Sequence, residues 1–345
     1  MANYTSAIVG VVIFALSTSI TTPTYAQQVP TPLNETDRRA VVESAAKMLR
    51  ERYVFPDIGD QAAKAIESAL GAGGYAGLDQ LAALAQRLTE DLRTVAKDKH
   101  LRVSAPGAPT AAPARVPPRA EGGVTRADIL DSNVGFIEVV GFPPPGSFNG
   151  PINRAMSALQ QTRALIVDVR RNGGGSPVSV AYLVSYFLAR GERVHINTFI
   201  NRNPGTETFR SQDFFSETTL FSYTGKPVLV LTSDRTFSGG EEFAYDMQVM
   251  KLAKVVGATT GGGANPGGTV RLPAGLTMFI PGGRARNPIT GTNWEGVGVK
   301  PDMAVPSENA LKAALEQLGV SSVNGEIDTL SRSRVFEPGG PRSNP

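Results

Sequence analysis

The chain has 345 residues, 41% of them hydrophobic and 19% charged, with a formal net charge of +3. That is enough apolar material for a packed core of one large or two smaller domains, and it argues against global disorder. There is no cysteine and there are two histidines, His100 and His195, which excludes disulfides, thiolate catalysis and cysteine-based zinc sites and makes a histidine-rich metal site a poor reading. The small positive excess is not gathered into a basic run, so no nucleic-acid partner is indicated.

The N-terminal 26 residues stand apart. Ala7 to Leu16 is an apolar run, followed by a Ser/Thr stretch and Thr24-Tyr25-Ala26 before Gln27. Small residues at the first and third of these positions fit signal-peptidase cleavage after Ala26. The run is shorter than the roughly 20 residues needed to span a bilayer. A secreted or periplasmic protein, without stable membrane insertion after cleavage, is the expectation.

Residues 27–104 read as an N-terminal helical subdomain. Residues 36–54 have helical apolar spacing (Ala40, Val41, Ala45, Met48, Leu49), ended by Pro56. Residues 61–70 read as a second helix stopped by glycines, and residues 78–95 as a third, with Leu81, Leu84, Leu88 and Leu92 on one face. Residues 105–127 follow as a Pro/Ala-rich linker. From 128 to 320 short β-rich runs alternate with helical stretches. The runs are 134–140, 164–169, 194–199, 228–232, 255–256 and 276–280; the helices are 150–161, 177–188, 240–251 and 309–318. The alternation predicts an α/β domain with a largely parallel sheet. Residues 321–345, rich in Ser, Gly and Pro, read as a flexible tail.

Two strand ends carry candidate chemistry. The buried run 226–232 leads through a turn into Ser238-Gly239-Gly240-Glu241-Glu242, which opens a helix. A serine at a strand tip and helix N-terminus stands where open α/β sheets place their sites, and the free N–H groups and helix dipole there favour developing negative charge. The competing reading is an ordinary N-cap, with Glu241 completing a capping box. The run 164–169 enters the turn Asp168-Val-Arg-Arg-Asn172-Gly173-Gly174-Gly175. Three glycines there can present backbone N–H groups beside that of Gly239 as an oxyanion hole. A phosphate loop fits poorly, because no Gly-Lys-Ser/Thr follows. Asp168 and Asn172 also suit a purely structural turn.

A serine nucleophile needs a proton acceptor, and imidazole is the usual one. His100 lies where a helix gives way to an extended stretch; His195 lies within a strand-like alternation, a more structural setting. Glu295 and Trp294 precede Gly296-Val-Gly-Val. Each suits either a site or a plain surface or core role.

In series, four blocks resemble the tail-specific (C-terminal-processing) serine peptidase superfamily. The similar branch contains the interphotoreceptor retinoid-binding protein modules and the tricorn protease core. The blocks are Arg52-Tyr-Val-Phe-Pro-Asp57, Asp98-Lys-His100-Leu-Arg-Val103, Asp168 to Gly175, and the long run from Thr236 through Gly263 to Asp302. The resemblance covers about residues 36–320. It implies a ClpP/crotonase-like mixed β-sheet core with flanking helices, preceded by a small helical bundle. It implies peptide hydrolysis through an acyl-enzyme on Ser238, with His100 as base, Glu295 supporting the site, and Gly239 with Gly174 as oxyanion hole. The substrate implied is a peptide or unfolded protein, with no cofactor and no metal.

The departures are informative. The glycine-rich segment Thr260 to Ala264 lacks the lysine of Ser/Lys members, which favours His100. Lys99 stands where the tricorn core has a serine before its histidine. Residues 104–127 leave no space for a PDZ domain, so tail specificity is not inherited. Because the retinoid-binding relatives use the same scaffold, a catalytically silent binding module for a hydrophobic ligand or peptide is the alternative reading.

Overall fold

The computed structural model describes residues 32–107, 120–320 and 331–339. The expected leader with its cleavage after Ala26, residues 108–119 of the linker, and residues 321–330 and 340–345 of the tail lie outside the described residues.

Three helices come first: α1 (Glu35–Arg52), α2 (Pro56–Gly71) and α3 (Leu81–Ala96). Asn34 caps α1 reciprocally with Asp37, each side chain taking the other's backbone N–H. Pro56 does not break the pattern but begins α2, because a proline at the first helical position loses no hydrogen bond. The helices bury Val41, Leu49, Ile66, Leu84, Leu88 and Leu92 against one another and against Met278 and Ile280 of a later strand.

The remaining elements in chain order are β1 (Arg102–Ser104), β2 (Val124–Leu130), β3 (Val134–Val139), α4 (Pro145–Leu159), β4 (Ala164–Asp168), α5 (Pro177–Ser185), β5 (His195–Arg202), β6 (Phe209–Phe215), β7 (Val228–Thr232), α6 (Gly239–Val249), β8 (Lys254–Gly257), β9 (Gly267–Arg271), β10 (Thr277–Pro281), β11 (Gly283–Arg286), β12 (Met303–Ala304), α7 (Ala310–Gln317) and β13 (Ser331–Phe336).

Seven strands form the central sheet in the order β12-β8-β7-β4-β3-β2-β13. The pairs from β12 to β3 are parallel, and β2 and β13 close one edge antiparallel. Strands β4 and β7 are buried at every position, as expected for parallel strands covered on both faces. One face packs on α4, α5 and α6 through residues such as Val167, Phe243 and Met247; the other packs on α7 through Leu229, Leu311 and Leu315. The mixed α/β core is the expected one.

Several boundaries differ from the sequence reading. Strand β2 begins inside the span read as linker, and β13 inside the span read as tail. β13 pairs with β2, and its Phe336 is buried in the main core. The helical segment is joined to the later chain by sheet pairing, since β1 pairs with β10 and β10 with β9. Among the described residues no helix is long and apolar enough to cross a membrane.

Candidate functional site

The parallel strands β4 and β7 end side by side, and the turns that follow them build the site. After β7, Thr236 Oγ1 donates to Val169 O and the Phe237 N–H donates to Asn172 O, which ties this turn to the one after β4. Ser238 follows as N-cap of α6. It has φ +54° and ψ −121°, not the extended backbone of an ordinary cap. A non-glycine residue held there is strained, and such strain collects at functional positions. The neighbouring chain leaves no alternative space. A Cβ on Gly174 would lie 2.7 Å from Ser238 Cβ, and one on Gly239 would lie 3.0 Å from the Gly175 nitrogen.

That crowding brings the Gly239 and Gly175 amides together. Both residues line a cavity of about 630 Å³ that also contains Ser238 and His100. Gly174, expected as the second oxyanion donor, does not line it. Its N–H donates to Asn172 Oδ1 at 2.8 Å. Asn172 in turn donates to Val139 O, so it is a structural brace, and Asp168 is paired with Arg170. The N–H of Gly175 has no partner among the described residues and is the one beside Gly239.

Glu241, in the first turn of α6, fixes the nucleophile turn to the glycine-rich segment. Its carboxylate accepts from Ser238 N (2.8 Å), Thr260 Oγ1 (2.5 Å), Gly262 N (2.6 Å) and Gly263 N (2.8 Å). Burial raises its pKa while these four donors pull the other way; only the ionised form accepts all four bonds. Glycine is required at 263, where a Cβ would meet the Phe237 ring at 2.3 Å and His100 Cε1 at 2.7 Å.

His100 arrives from the other side of the cavity. α3 ends at Lys97 in the left-handed conformation, and β1 then pairs with β10. The imidazole lies between Phe237 (ring centroids 4.5 Å apart) and Phe279 (5.9 Å). It is 7% exposed, and burial pushes its pKa down to about 4, against the opposing attraction of Asp98. His100 and Ser238 share the cavity without a hydrogen bond between them; such bonds often close only with substrate present.

Behind the imidazole lies a carboxyl network. Asp98 Oδ2 accepts from Tyr53 Oη (3.1 Å) and Asn265 Nδ2 (2.9 Å), and Asp98 Oδ1 accepts the His100 backbone N–H (2.9 Å). His100 Nδ1 is 3.9 Å from Asp98 Oδ1. Glu295 Oε2 accepts from Ala264 N at 2.5 Å, while its Oε1, like His100 Nδ1, is buried without a partner. Burial and the nearby Asp98 raise Glu295 to about 8. Glu295 is therefore brought into the histidine network, but it does not line the cavity. Ligand atoms of Asp98, His100 and Glu295 lie within 4.8 Å of one another. Donors on a tetrahedral metal are closer, at about 3.3 Å, so this set would have to contract to hold one.

His195 lies elsewhere, stacked on Phe215 and bonded to Thr198 Oγ1 at 2.9 Å. Trp294 lines the cavity and also closes the core, donating from Nε1 to Gly263 O at 2.8 Å. Lys99 donates from Nζ to Gly261 O, a structural tie across the cavity rim. Asp302 accepts from Val255 N, so it fixes β8. Sequence reasoning missed Tyr53 and Asp98 as supports of His100. Their signal was present, since both fall within the first two of the four blocks.

The model of peptidase family S41 matches residues 133–305, half of the chain. The chain belongs to peptidase family S41. The model of the N-terminal domain of S41 peptidases in eukaryotic interphotoreceptor retinoid-binding protein matches residues 26–133, so the helical segment of this S41 chain is accounted for as well. Solved structures share the S41 fold at low identity. A Parabacteroides merdae protein described as a candidate peptidase is 18% identical, with a TM-score of 0.61, covering 86% of this chain and 99% of that one. The photosystem II D1 C-terminal processing protease is 15% identical, with a TM-score of 0.53, covering 85% and 98%. The tricorn protease is 14% identical, with a TM-score of 0.52, covering 86% of this chain and 36% of that one.

Proposed function

We propose that this S41 member is a serine peptidase that cleaves peptide bonds through an acyl-enzyme on Ser238. One observation carries the reading. The strained Ser238 backbone, the unpaired Gly175 and Gly239 amides and a neutral buried imidazole all face one cavity. An ordinary capping serine needs none of this.

In the reaction His100 takes the Ser238 hydroxyl proton as Oγ attacks the scissile carbonyl carbon. The carbonyl oxygen gains negative charge, and the two amide donors at Gly239 and Gly175 stabilise it. The imidazolium then returns its proton to the leaving amine, and water repeats the sequence on the ester. Asp98 and Glu295 act as positioning residues. Their carboxyl groups, fixed by Tyr53, Asn265 and Ala264, lie where the imidazole becomes positive. The leader-like first 26 residues support action outside the cytoplasm, in the periplasm or the medium.

The test is digestion of an unfolded protein mixture, with new termini read by mass spectrometry. Wild type generates new termini, and Ser238→Ala generates none above background. Cleavage that persists in Ser238→Ala, or its absence in folded wild type, would overturn the proposal; the second result would favour the binding-module alternative.

A further inference from the structure

One buried carboxyl group in the cavity lining is not used by the hydrolytic chemistry. Glu242 lies on the first turn of α6 and lines the cavity, yet it is only 4% exposed. Its Oε1 accepts from Asn197 Nδ2 at 2.9 Å, a neutral donor. No cation pairs with it among the described residues. One turn further along the helix Asp246 is fully buried. Its Oδ1 accepts from Asn287 Nδ2 at 3.0 Å, and its Oδ2 has no partner. Two buried carboxyl groups therefore sit on one helix face with only amide donors for company. Uncompensated burial of this kind is costly, and proteins ordinarily relieve it with a cation or a proton. Burial raises Glu242 to about 7, and the proximity of Glu242 adds to the rise at Asp246.

Position fixes what could relieve it. The Glu242 N–H donates to the Ser238 carbonyl oxygen, and both residues line the cavity at the start of α6. Phe199, Ala264 and Trp294 also line this cavity. A side chain entering beside the nucleophile would therefore pass apolar walls and end at a carboxyl group. A lysine or arginine has this form, an apolar stem with a cationic head.

We propose that Glu242 is the specificity-determining residue of this site and selects substrates with lysine or arginine on the acyl side of the cleaved bond. The inference rests on the peptidase reading and deepens it. Asn197 orients the Glu242 carboxyl group, and Asp246 lies one helical turn behind it. The basic residues that also line the cavity do not cancel the selection. Lys99 is tied to Gly261 O, the Arg93 guanidinium is bonded to the carbonyls of Leu101 and Lys99, and the Arg102 guanidinium lies over the Phe279 ring, 5.4 Å from its centroid. Arg235 is exposed, where salt screens it, whereas Glu242 is desolvated.

The test uses two small probes that differ in charge: 4-aminobenzamidine, an aromatic amidinium, and the neutral 4-aminobenzamide. Binding to the purified protein is measured for wild type and for Glu242→Gln. Labelling of Ser238 by a fluorophosphonate is followed in parallel. The amidinium is expected to bind wild type at least about tenfold more tightly than the amide, and the preference is expected to vanish in Glu242→Gln. Among peptides that differ only at the acyl-side residue, wild type is expected to favour Lys and Arg over Leu by a ratio that collapses in the variant. Equal binding of the two probes to wild type, absence of binding by both, or an unchanged preference in Glu242→Gln would overturn the proposal. Wild-type binding alone decides the matter if the variant does not fold. Labelling without charge discrimination would remove this inference and leave the peptidase intact; discrimination without labelling would remove the peptidase and leave the cation site.

Discussion

Ser238 and His100 are each held in a state that costs free energy, and both costs bear on reactivity. A serine at φ +54° is strained by about 1–3 kcal/mol. Burying the imidazole in its neutral form lowers its pKa from 6.5 to about 4. The sign of the consequence follows from proton counting. Between those values the unfolded chain binds more protons, so stability attributable to His100 is present above 6.5 and is lost as the pH falls through the window. For activity on a peptide with an uncharged acyl-side residue the same shift predicts a flat kcat/KM from about pH 7 down to about pH 5, then a fall of about tenfold per unit below about 4. A pH–rate profile checks this, and an acid limb near 6.5 would contradict it. The Ser238 and His100 blocks are legible in the sequence because each joins a reactive residue to a fixed local context. Glu242 was not legible as a site residue. An acid in the first turn of a helix is ordinarily read as a dipole partner, and only the fold shows that this one is buried against the cavity.

Among the elements, the loop from Thr260 to Gly263 and the turn before α6 behave as one piece because Glu241 bonds to both. Glu241→Gln replaces an acceptor by an NH₂ group facing N–H donors. It is expected to cost about 3 kcal/mol of stability and to slow Ser238 labelling about a hundredfold, with both effects appearing together. Denaturant unfolding and labelling rates on the same samples check it; a stable variant labelled at the wild-type rate would refute the coupling. The main parallel strands and the helices were legible from apolar runs and periodicity. β9 was not, because its residues 267–271 are largely exposed and begin with two glycines. Nor was β6, where five consecutive residues from Phe209 to Asp213 are exposed. Neither strand shows the alternation that marks a half-buried strand.

Across the whole molecule, distant chain segments complete both the sheet and the site. β13 closes the sheet edge on β2, with Phe336 in the core, and the fully buried Asp128 pairs with Arg126 and Arg334. Phe336→Ala is expected to lower stability by about 3 kcal/mol while the fully folded protein still labels at Ser238. Unchanged stability would show that the strand is dispensable. The sequence reading placed this segment in a flexible tail because residues 321–345 are rich in Ser, Gly and Pro and carry little apolar signal. The same reading could not foresee how His100 reaches Ser238. The approach depends on β1 pairing with β10, a register between Arg102 and Phe279 that no local pattern encodes.

The most direct test of the central claim is fluorophosphonate labelling of the purified protein at neutral pH, with the modified peptide identified by mass spectrometry. The account predicts one adduct, on Ser238. It should be absent in Ser238→Ala and formed at least about a hundredfold more slowly in a folded His100→Ala. An adduct on another residue, or full-rate labelling without His100, would contradict it.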